Sequence, residues 1–345
     1  MIRVLVVEDS MVARQLLVHI LQADPQIEVV GQASDGEQAI RLAAELQPDL
    51  ITMDVQMPGM DGMEATQKIM STDPRPIVIV SAQDPNDVRT SMASMGAGAL
   101  AVLPKPSGPT DPYFENRSRE LCSTVRAMSE VRVVKRRAPK PPESAVPAPP
   151  KVESAPKTVG KIQAVVVGSS TGGPDALREF LMALKPLPVP VLIVQHISKG
   201  FHQGLAEWLD NQTSLPVHLA GESMQLEAGH VFLAPGDGHL TIKPGGKAHI
   251  DPAPPVGSHR PAVNMLFSSA AKVWGAGAVG VMLTGMGEDG ADGTAELHKT
   301  GALILAQDED SCVVYGMPKV VAERGLAHYQ MNPAAIARHI NGLFD

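Results

Sequence analysis

Residues 168–174 read GSSTGGP, and they stand between the apolar run IQAVVV and the segment DALREFLMALK. The run predicts a buried strand, whereas the apolar positions of the segment recur at helical spacing. Glycines and hydroxyl groups therefore lie on a tight strand-to-helix turn. Such a turn can cradle a phosphate, expose a serine nucleophile or simply reverse the chain direction.

The same succession of short aliphatic run, loop and helical stretch recurs on both sides of this turn. The N-terminal runs are RVLVV, IEVVGQA, LITMD, PIVIVS and ALAVLPK, and the C-terminal runs are AVVVG, VLIVQ, HVFLAPG, AVGVMLTG and ALILAQ. Continuous aliphatic strands that alternate with helices predict a parallel sheet covered on both faces. We therefore expect an α/β protein with two doubly wound parallel-sheet domains, the first flavodoxin-like and the second Rossmann-like. In the second domain, HVFLAPGDGHLTIK predicts a β-hairpin whose strands flank PGDG.

A proline-rich stretch, RVVKRRAPKPPESAVPAPPKVESAPKTVGK, separates the two halves. Proline has no backbone donor for helices or sheets, so this stretch predicts an extended linker. A length of 345 residues agrees with two domains. We expect the domains at residues 1–122 and 160–345, with the linker over 123–159.

The composition excludes several classes of protein. A formal net charge of −8 argues against general binding to nucleic acid. Cys122 and Cys312 are the two cysteines of the sequence, which indicates no disulfide framework. No apolar run approaches the roughly 20 residues of a membrane span, and the first strand is too short for a signal peptide. We expect a soluble cytoplasmic protein without membrane insertion.

Five polar side chains follow the N-terminal runs, at the strand ends where parallel sheets bind ligands: Glu8, Asp9, Asp54, Ser81 and Lys105. Three carboxylates at one sheet edge repel each other unless a cation joins them, and oxygen ligands suit Mg²⁺. Beside Mg²⁺, Asp54 can attack a phosphoryl group, whose oxygens Ser81 and Lys105 can then bind. Alternatively, Asp9 or Ser10 caps the helix MVARQLLVHI.

In the second half, the turn GSSTG fits the G-x-S-x-G pattern of a nucleophile elbow, with Ser170 as the exposed nucleophile. A phosphate-binding Walker A loop needs a lysine where Pro174 stands, and the glycine spacing of dinucleotide-binding loops is absent. A plain glycine turn remains the alternative. The serine interpretation requires a histidine base and a carboxylate that orients it.

His196 ends the run PVLIVQH and therefore lies at the carboxyl end of a predicted strand, with His239 in PGDGHL as its competitor. Asp289 follows the run GVMLTGMGED and is the favoured orienting carboxylate, with Asp292 and Glu288 as alternatives. In this chemistry His196 takes the proton of Ser170 during attack on an ester or amide carbonyl. Two groups of backbone N–H donors are candidates for stabilising the oxyanion, those near Thr171 and Met286.

The first half, roughly residues 1–122, resembles the receiver domain of two-component response regulators in VVEDS, MDVQMPGMDG, VIVSAQ and LPKP. The resemblance implies that Asp54 is phosphorylated and that Ser81 and Lys105 act as switch residues. It also implies a Mg²⁺ site formed by Glu8, Asp9, Asp54 and the carbonyl of Gln56. Many receivers have an aspartate where Glu8 stands and an aromatic residue where Val102 stands.

Nearly the whole chain resembles the CheB protein-glutamate methylesterase family of bacterial chemotaxis. The motifs are GSSTGGP, VQHISKGF, LAPGDGHL, SHRPAVNMLF, LTGMGEDGADG and QDEDSCVVYGMPK, although Asn264 stands where an aspartate is common. The resemblance implies hydrolysis of γ-glutamyl methyl esters on the cytoplasmic helices of chemoreceptors, with release of methanol, and deamidation of receptor glutamines. It further implies phosphorylation by the histidine kinase CheA and no cofactor for the hydrolysis itself.

Two other functions stay open. The first is a phosphorylation-gated esterase for a soluble ester, and the second is a response regulator without catalytic activity.

Overall fold

The computed structural model describes residues 1–82, 91, 94–108, 110–131, 133, 161–257 and 259–345. The chain forms two compact units, and the division between them falls in the stretch 134–160, outside these ranges. Most of the linker predicted over 123–159 lies in that stretch.

The first unit contains a five-stranded parallel sheet with the order β2-β1-β3-β4-β5. Its strands are β1 Ile2–Val7, β2 Ile27–Ala33, β3 Leu50–Met53, β4 Ile77–Ser81 and β5 Ala101–Pro104. The helices with described bounds are Met11–Gln22, Gly36–Leu46, Gly62–Thr72 and Phe114–Ser129. All five predicted N-terminal runs form strands, and their order is the flavodoxin-like one that was expected.

The helix Phe114–Ser129 crosses the domain boundary expected at residue 122. Leu121, Val125 and Met128 are buried, and their spacing places them on one face of the helix. Because this apolar face needs the core of the first unit, we infer that the first domain extends to Ser129.

The second unit contains a seven-stranded parallel sheet with the order β14-β13-β12-β6-β7-β9-β8. The strands are β6 Ala164–Ser169, β7 Val191–Gln195, β8 Val217–Leu219, β9 Val231–Leu233, β12 Ala278–Met282, β13 Leu303–Gln307 and β14 Tyr329–Met331. Its α-helices are Gly173–Ala183, His202–Gln212, Val263–Val273, Ala291–Lys299, Met317–Glu323 and Pro333–Asn341. Along β6, the consecutive residues Val165, Val166 and Val167 are fully buried. Successive side chains of a strand point to opposite faces, so the core covers both faces of this sheet.

The predicted hairpin exists, but its expected position across PGDG is wrong. Strand β9 belongs to the parallel sheet, whereas β10 (His239–Lys243) pairs antiparallel with β11 (Lys247–Asp251). The turn between β10 and β11 contains Gly245 and Gly246, whose φ angles are 90° and 73°. Tight hairpin turns require such left-handed backbone, which glycine adopts without strain. PGDG instead connects the large sheet to the hairpin.

Candidate active site

Three neighbouring strands in the middle of the seven-stranded sheet carry the predicted catalytic residues. Ser170 follows β6, His196 follows β7, and Asp289 lies in the loop after β12. Because β12, β6 and β7 are adjacent and parallel, their carboxyl ends share one edge of the sheet. The topology therefore gathers all three residues at the place where parallel sheets bind ligands.

The structure brings His196 and Asp289 into direct contact. The Nε2 atom of His196 lies 2.8 Å from Oδ2 of Asp289, and their side chains are 9% and 6% exposed. The other ring nitrogen, Nδ1, is buried and has no hydrogen-bond partner among the described residues. One nitrogen is thus held by a carboxylate and the other is available to accept a proton, as a general base requires.

The carboxylate of Asp289 is held from a second side by the first turn of the helix Val263–Val273. The backbone N–H of Val263 donates to Oδ2 at 2.6 Å, and that of Asn264 donates to Oδ1 at 3.1 Å. Burial raises the pKa of Asp289, but the hydrogen bond from His196 and those from the helix outweigh it and lower the pKa. Asp289 is therefore ionised at neutral pH and can fix the imidazole tautomer.

Ser170 lies on the turn between β6 and the helix Gly173–Ala183. Its backbone N–H donates to the Thr284 carbonyl at 3.0 Å, and its carbonyl accepts from Gly173 at 2.8 Å. A Cβ atom added to Gly285 would lie 2.7 Å from the Cβ of Ser170, so the loop after β12 packs directly on the serine. Within the described structure, Ser170 Oγ makes no hydrogen bond to His196. Such bonds often tighten only when substrate binds.

The alternative residues have other partners. His239 is buried, with Nε2 3.0 Å from the Pro254 carbonyl and Nδ1 accepting from the Ala262 N–H at 3.1 Å. Both of its nitrogens are therefore occupied in the structure. The side chains of Asp292 and Glu288 are 78% and 77% exposed, and both face Arg324. His239 therefore has no free nitrogen to act as the base, and neither Asp292 nor Glu288 is placed to orient His196.

Carboxylates of Glu8, Asp9 and Asp54 cluster at the carboxyl edge of the first sheet, with ligand oxygens within 4.8 Å of one another. Lys105 Nζ lies 2.8 Å from Glu8 Oε2 and 3.0 Å from Asp54 Oδ2. Burial raises the pKa of Glu8, and the nearby Asp54 raises it further. The pKa of Asp54 is also raised by burial, against the lowering effect of Lys105. A crowded group of carboxylate oxygens, two of them on buried residues and one on the exposed Asp9, fits a hard divalent cation such as Mg²⁺.

The remaining residues of this acidic site lie around the carboxylates. Ser81 is buried, and its hydroxyl contacts the Ala82 carbonyl at 3.3 Å. The backbone N–H of Lys105 donates to the Ser81 carbonyl at 2.8 Å. Gln56 is exposed two residues after Asp54. Ser10 caps the helix Met11–Gln22 through its side chain, so the capping alternative is confirmed for this residue.

Comparison with known proteins assigns both units. The CheB methylesterase family model matches residues 165–340, and the response regulator receiver domain model matches residues 4–111. A protein-glutamate methylesterase/protein-glutamine glutaminase of Myxococcus xanthus is 48% identical over 99% of this chain and 97% of that protein. A relative of the same description from Anaeromyxobacter dehalogenans is 50% identical over 98% of this chain and 97% of its own.

The chain belongs to the CheB methylesterase family.

A crystal structure agrees with this assignment. The CheB methylesterase catalytic domain of Thermotoga maritima is 37% identical, covers 53% of this chain and 100% of its own, and superposes with a TM-score of 0.52. The predicted family, the two-domain fold and the receiver domain are therefore confirmed. Among the described residues, no helix is long and apolar enough to span a membrane.

In this CheB-family chain, Gln195 is a site residue that the sequence analysis missed. It is 2% exposed, and its Nε2 donates to the carbonyls of Ser170 and His196, both at 2.7 Å. Its Oε1 accepts from the Ser169 hydroxyl at 2.7 Å. Gln195 therefore ties together the chain segments that carry the serine and the histidine. Its signal in the sequence is a polar residue closing the apolar run VLIVQ.

Thr284 has the same role on the other side of Ser170. Its hydroxyl donates to the Thr171 carbonyl at 3.0 Å, and its backbone N–H donates to Gln307 Oε1 at 2.7 Å. The first bond joins the loops after β6 and β12, in which the candidate oxyanion donors near Thr171 and Met286 lie, and the second ties the loop after β12 to the end of β13. A threonine in a glycine-rich loop gives no comparable signal in the sequence.

Proposed function

We propose that this chain is a phosphorylation-regulated serine hydrolase that removes methyl groups from glutamyl methyl esters of chemoreceptors and deamidates receptor glutamines. The full-length relatives bear the name protein-glutamate methylesterase/protein-glutamine glutaminase. The observation that carries the proposal is the His196–Asp289 pair, with a free Nδ1, at the sheet edge that also carries Ser170. A chemoreceptor helix is the proposed substrate and the cytoplasm the proposed location.

In the first half-reaction, Ser170 Oγ attacks the ester carbonyl and His196 Nδ1 accepts the serine proton. Asp289 stabilises the imidazolium that forms. Backbone N–H groups near Thr171 and Met286 stabilise the oxyanion, with each donor contributing roughly 3–4 kcal/mol. The carbonyl carbon–methoxy bond then breaks, the methoxy oxygen takes the proton from His196, and methanol leaves an acyl-serine.

Water completes the reaction with the same residues. His196 takes a proton from water as its oxygen attacks the acyl-serine, and then returns that proton to Ser170 Oγ. A glutamate carboxylate and the free serine result. With a glutamine substrate the first leaving group is ammonia, which receives the same proton.

In the receiver domain, Asp54 is the proposed phosphoryl acceptor and a histidine kinase such as CheA the proposed donor. The Asp54 carboxylate attacks phosphorus, and the bond between phosphorus and the donor nitrogen breaks. Glu8, Asp9 and Asp54, with the Gln56 carbonyl, would hold Mg²⁺, which when bound supplies positive charge to the phosphoryl oxygens. Lys105 and Ser81 bind the new phosphoryl oxygens, and Lys105 already contacts Asp54 at 3.0 Å.

The central test is Ser170→Ala, with methanol release from methylated receptor membranes as the assay. We expect a loss of several orders of magnitude in turnover with the fold unchanged, because one oxygen is removed at a partly exposed turn. A variant that keeps more than roughly a tenth of wild-type turnover would contradict the serine mechanism.

Two further measurements separate the alternatives. A fluorophosphonate that labels wild-type protein but not Ser170→Ala excludes a response regulator without catalytic activity. A labelled protein that releases no methanol from receptor membranes points to a soluble ester as substrate.

A further inference from the structure

A second histidine lies flat against the proposed base. The rings of His196 and His259 are stacked, with 3.9 Å between their centroids and 2° between their planes. His259 is partly buried and stands just before the helix whose first N–H groups bind Asp289. One short segment thus contacts both the carboxylate and the ring that the carboxylate holds.

The hydrogen bond to Asp289 leaves the His196 ring free to rotate about one axis. A single hydrogen bond fixes where Nε2 lies, but it permits the ring to tilt about the line joining Nε2 and Oδ2. The tilt decides where the lone pair of Nδ1 points, and hence whether it meets the serine hydroxyl. A parallel ring in van der Waals contact removes this tilt because any rotation brings the rings into collision.

The charge of His259 also suits this position. Burial lowers its pKa, the neighbouring His196 lowers it further, and Asp289 opposes both. The ring is therefore neutral at neutral pH. His196 can then take up the serine proton without a second cation stacked on it.

We infer that His259 is a positioning residue for His196, whose flat ring fixes the plane in which Nδ1 receives the Ser170 proton. This inference rests on the proposed function. It predicts that planarity at position 259, more than volume, determines how well Ser170 is activated.

The test compares His259→Ala, His259→Leu and His259→Phe in the full chain. The readouts are the rate of Ser170 labelling by a fluorophosphonate and methanol release from receptor membranes. We expect labelling and kcat to fall about tenfold in the alanine and leucine variants, with KM unchanged, because misorientation of a catalytic group lowers turnover. The phenylalanine variant, which restores a flat ring, should keep most of the wild-type rate.

His218→Ala is the matched control, since it removes a ring that stacks on His230 at 5.1 Å on the edge strand β8. It should label at the wild-type rate. Equal rates for the leucine and phenylalanine variants would reduce His259 to a packing residue and overturn the inference. So would wild-type labelling in the alanine variant. Failure of the wild-type protein itself to be labelled at Ser170 would overturn the proposed function as well.

Discussion

His202 is a buried histidine whose ring makes no hydrogen bond to the described residues. It begins the helix His202–Gln212 and is 3% exposed, and neither ring nitrogen has a partner among the described residues. A Cβ atom on Gly236 would lie 2.6 Å from its Nδ1, so the ring packs on the backbone of the PGDG loop. Burial lowers its pKa from 6.5 to about 4, against the opposing charge of Asp237.

This burial predicts a pH-dependent stability. The unfolded chain protonates His202 near pH 6.5 and the folded chain only near pH 4, so lowering the pH between these values favours unfolding. The free energy of unfolding should fall by about 2 kcal/mol between pH 7.5 and pH 5 from this residue alone. His202→Leu should remove that part of the pH dependence and be at least as stable at pH 7.5, because no hydrogen bond is lost.

Urea unfolding at the two pH values measures this difference between wild type and variant. His218→Leu is the control, since His218 is exposed. In this variant the free energy of unfolding should change with pH as it does in the wild-type protein. If the free energy of unfolding of His202→Leu changes with pH as much as that of the wild-type protein, burial of His202 does not cause the pH dependence.

Asp289→Asn should cost less turnover than Ser170→Ala, because the base remains but loses the partner that sets its tautomer. A loss of roughly 10⁴-fold is expected for such a change. Both carboxylate oxygens accept backbone N–H groups, from Val263 and Asn264, and an amide offers one oxygen for the two. Methanol release should therefore be compared with that of Asp292→Asn, which faces solvent and should behave as wild type. The reverse ranking would move the orienting role to Asp292.

At the residue scale, the sequence predicted those site residues that follow apolar runs, because hydrophobicity shows where a buried strand ends. It placed His196 and Asp289 at one sheet edge, where the structure joins them at 2.8 Å. It did not predict that Nε2, rather than Nδ1, faces the carboxylate. The stack on His259 was also missed, because it depends on loop paths that no local pattern encodes.

At the scale of elements, the packing of β6 on the helix Val263–Val273 links stability to the site. A Cβ atom added to Gly168 would overlap Val263 Cγ1, because it would lie closer than non-bonded carbon atoms can approach. Val263 begins that helix and binds Asp289 through its N–H. Any displacement of the start of this helix therefore shifts the backbone N–H groups that hold the Asp289 carboxylate.

Gly168→Ala should destabilise the second unit by about 1–3 kcal/mol through overpacking and should also lower kcat. Gly221→Ala is the matched control, since the nearest atom to its new Cβ is Met224 Cε at 3.7 Å. Adding Val263→Ala to Gly168→Ala makes room for the methyl group and should restore part of both losses. Unfolding in urea and methanol release report the two effects. A Gly168→Ala protein as stable and active as Gly221→Ala would refute this coupling.

Long apolar runs predicted the central strands of both sheets, because their burial leaves a continuous aliphatic signature. The short strands β8 and β14, three residues each at the two ends of the large sheet, were missed. Three residues are too few to show a periodicity. The predicted hairpin was placed across PGDG, between β9 and β10, whereas the observed hairpin joins β10 to β11 across PGG. Both stretches have the composition of a turn, so the sequence did not distinguish them.

At the scale of the whole molecule, the proline-rich stretch that joins the two units leads us to expect that the receiver domain regulates the activity of the second domain. A tethered receiver domain stays at high effective concentration near the catalytic domain, so weak affinity suffices to cover the sheet edge that carries Ser170. If the receiver domain inhibits in this way, phosphorylation of Asp54 relieves the inhibition only when it stabilises the open arrangement, with about 1.4 kcal/mol for each tenfold shift.

We expect the fragment from residue 160 onward to release methanol faster than the unphosphorylated full chain. Asp54→Asn should keep the full chain in its low-activity state even with phosphodonor and Mg²⁺. The assay compares fragment, full chain with and without phosphodonor, and the Asp54→Asn variant on the same receptor membranes. A fragment no faster than the unphosphorylated chain would leave recruitment or direct activation as the receiver's role.

The order of strands in the large sheet has a consequence for biosynthesis. His196 and Asp289 are 93 residues apart, and β12, which precedes Asp289, pairs directly with β6. A ribosome that has released the chain only as far as residue 277 has therefore delivered the serine and the histidine without their carboxylate. It has also left β6, an entirely buried strand of the finished sheet, with one unpaired edge. We therefore expect the growing polypeptide to be inactive, and most prone to wrong strand pairing, until the last fifth of the chain emerges.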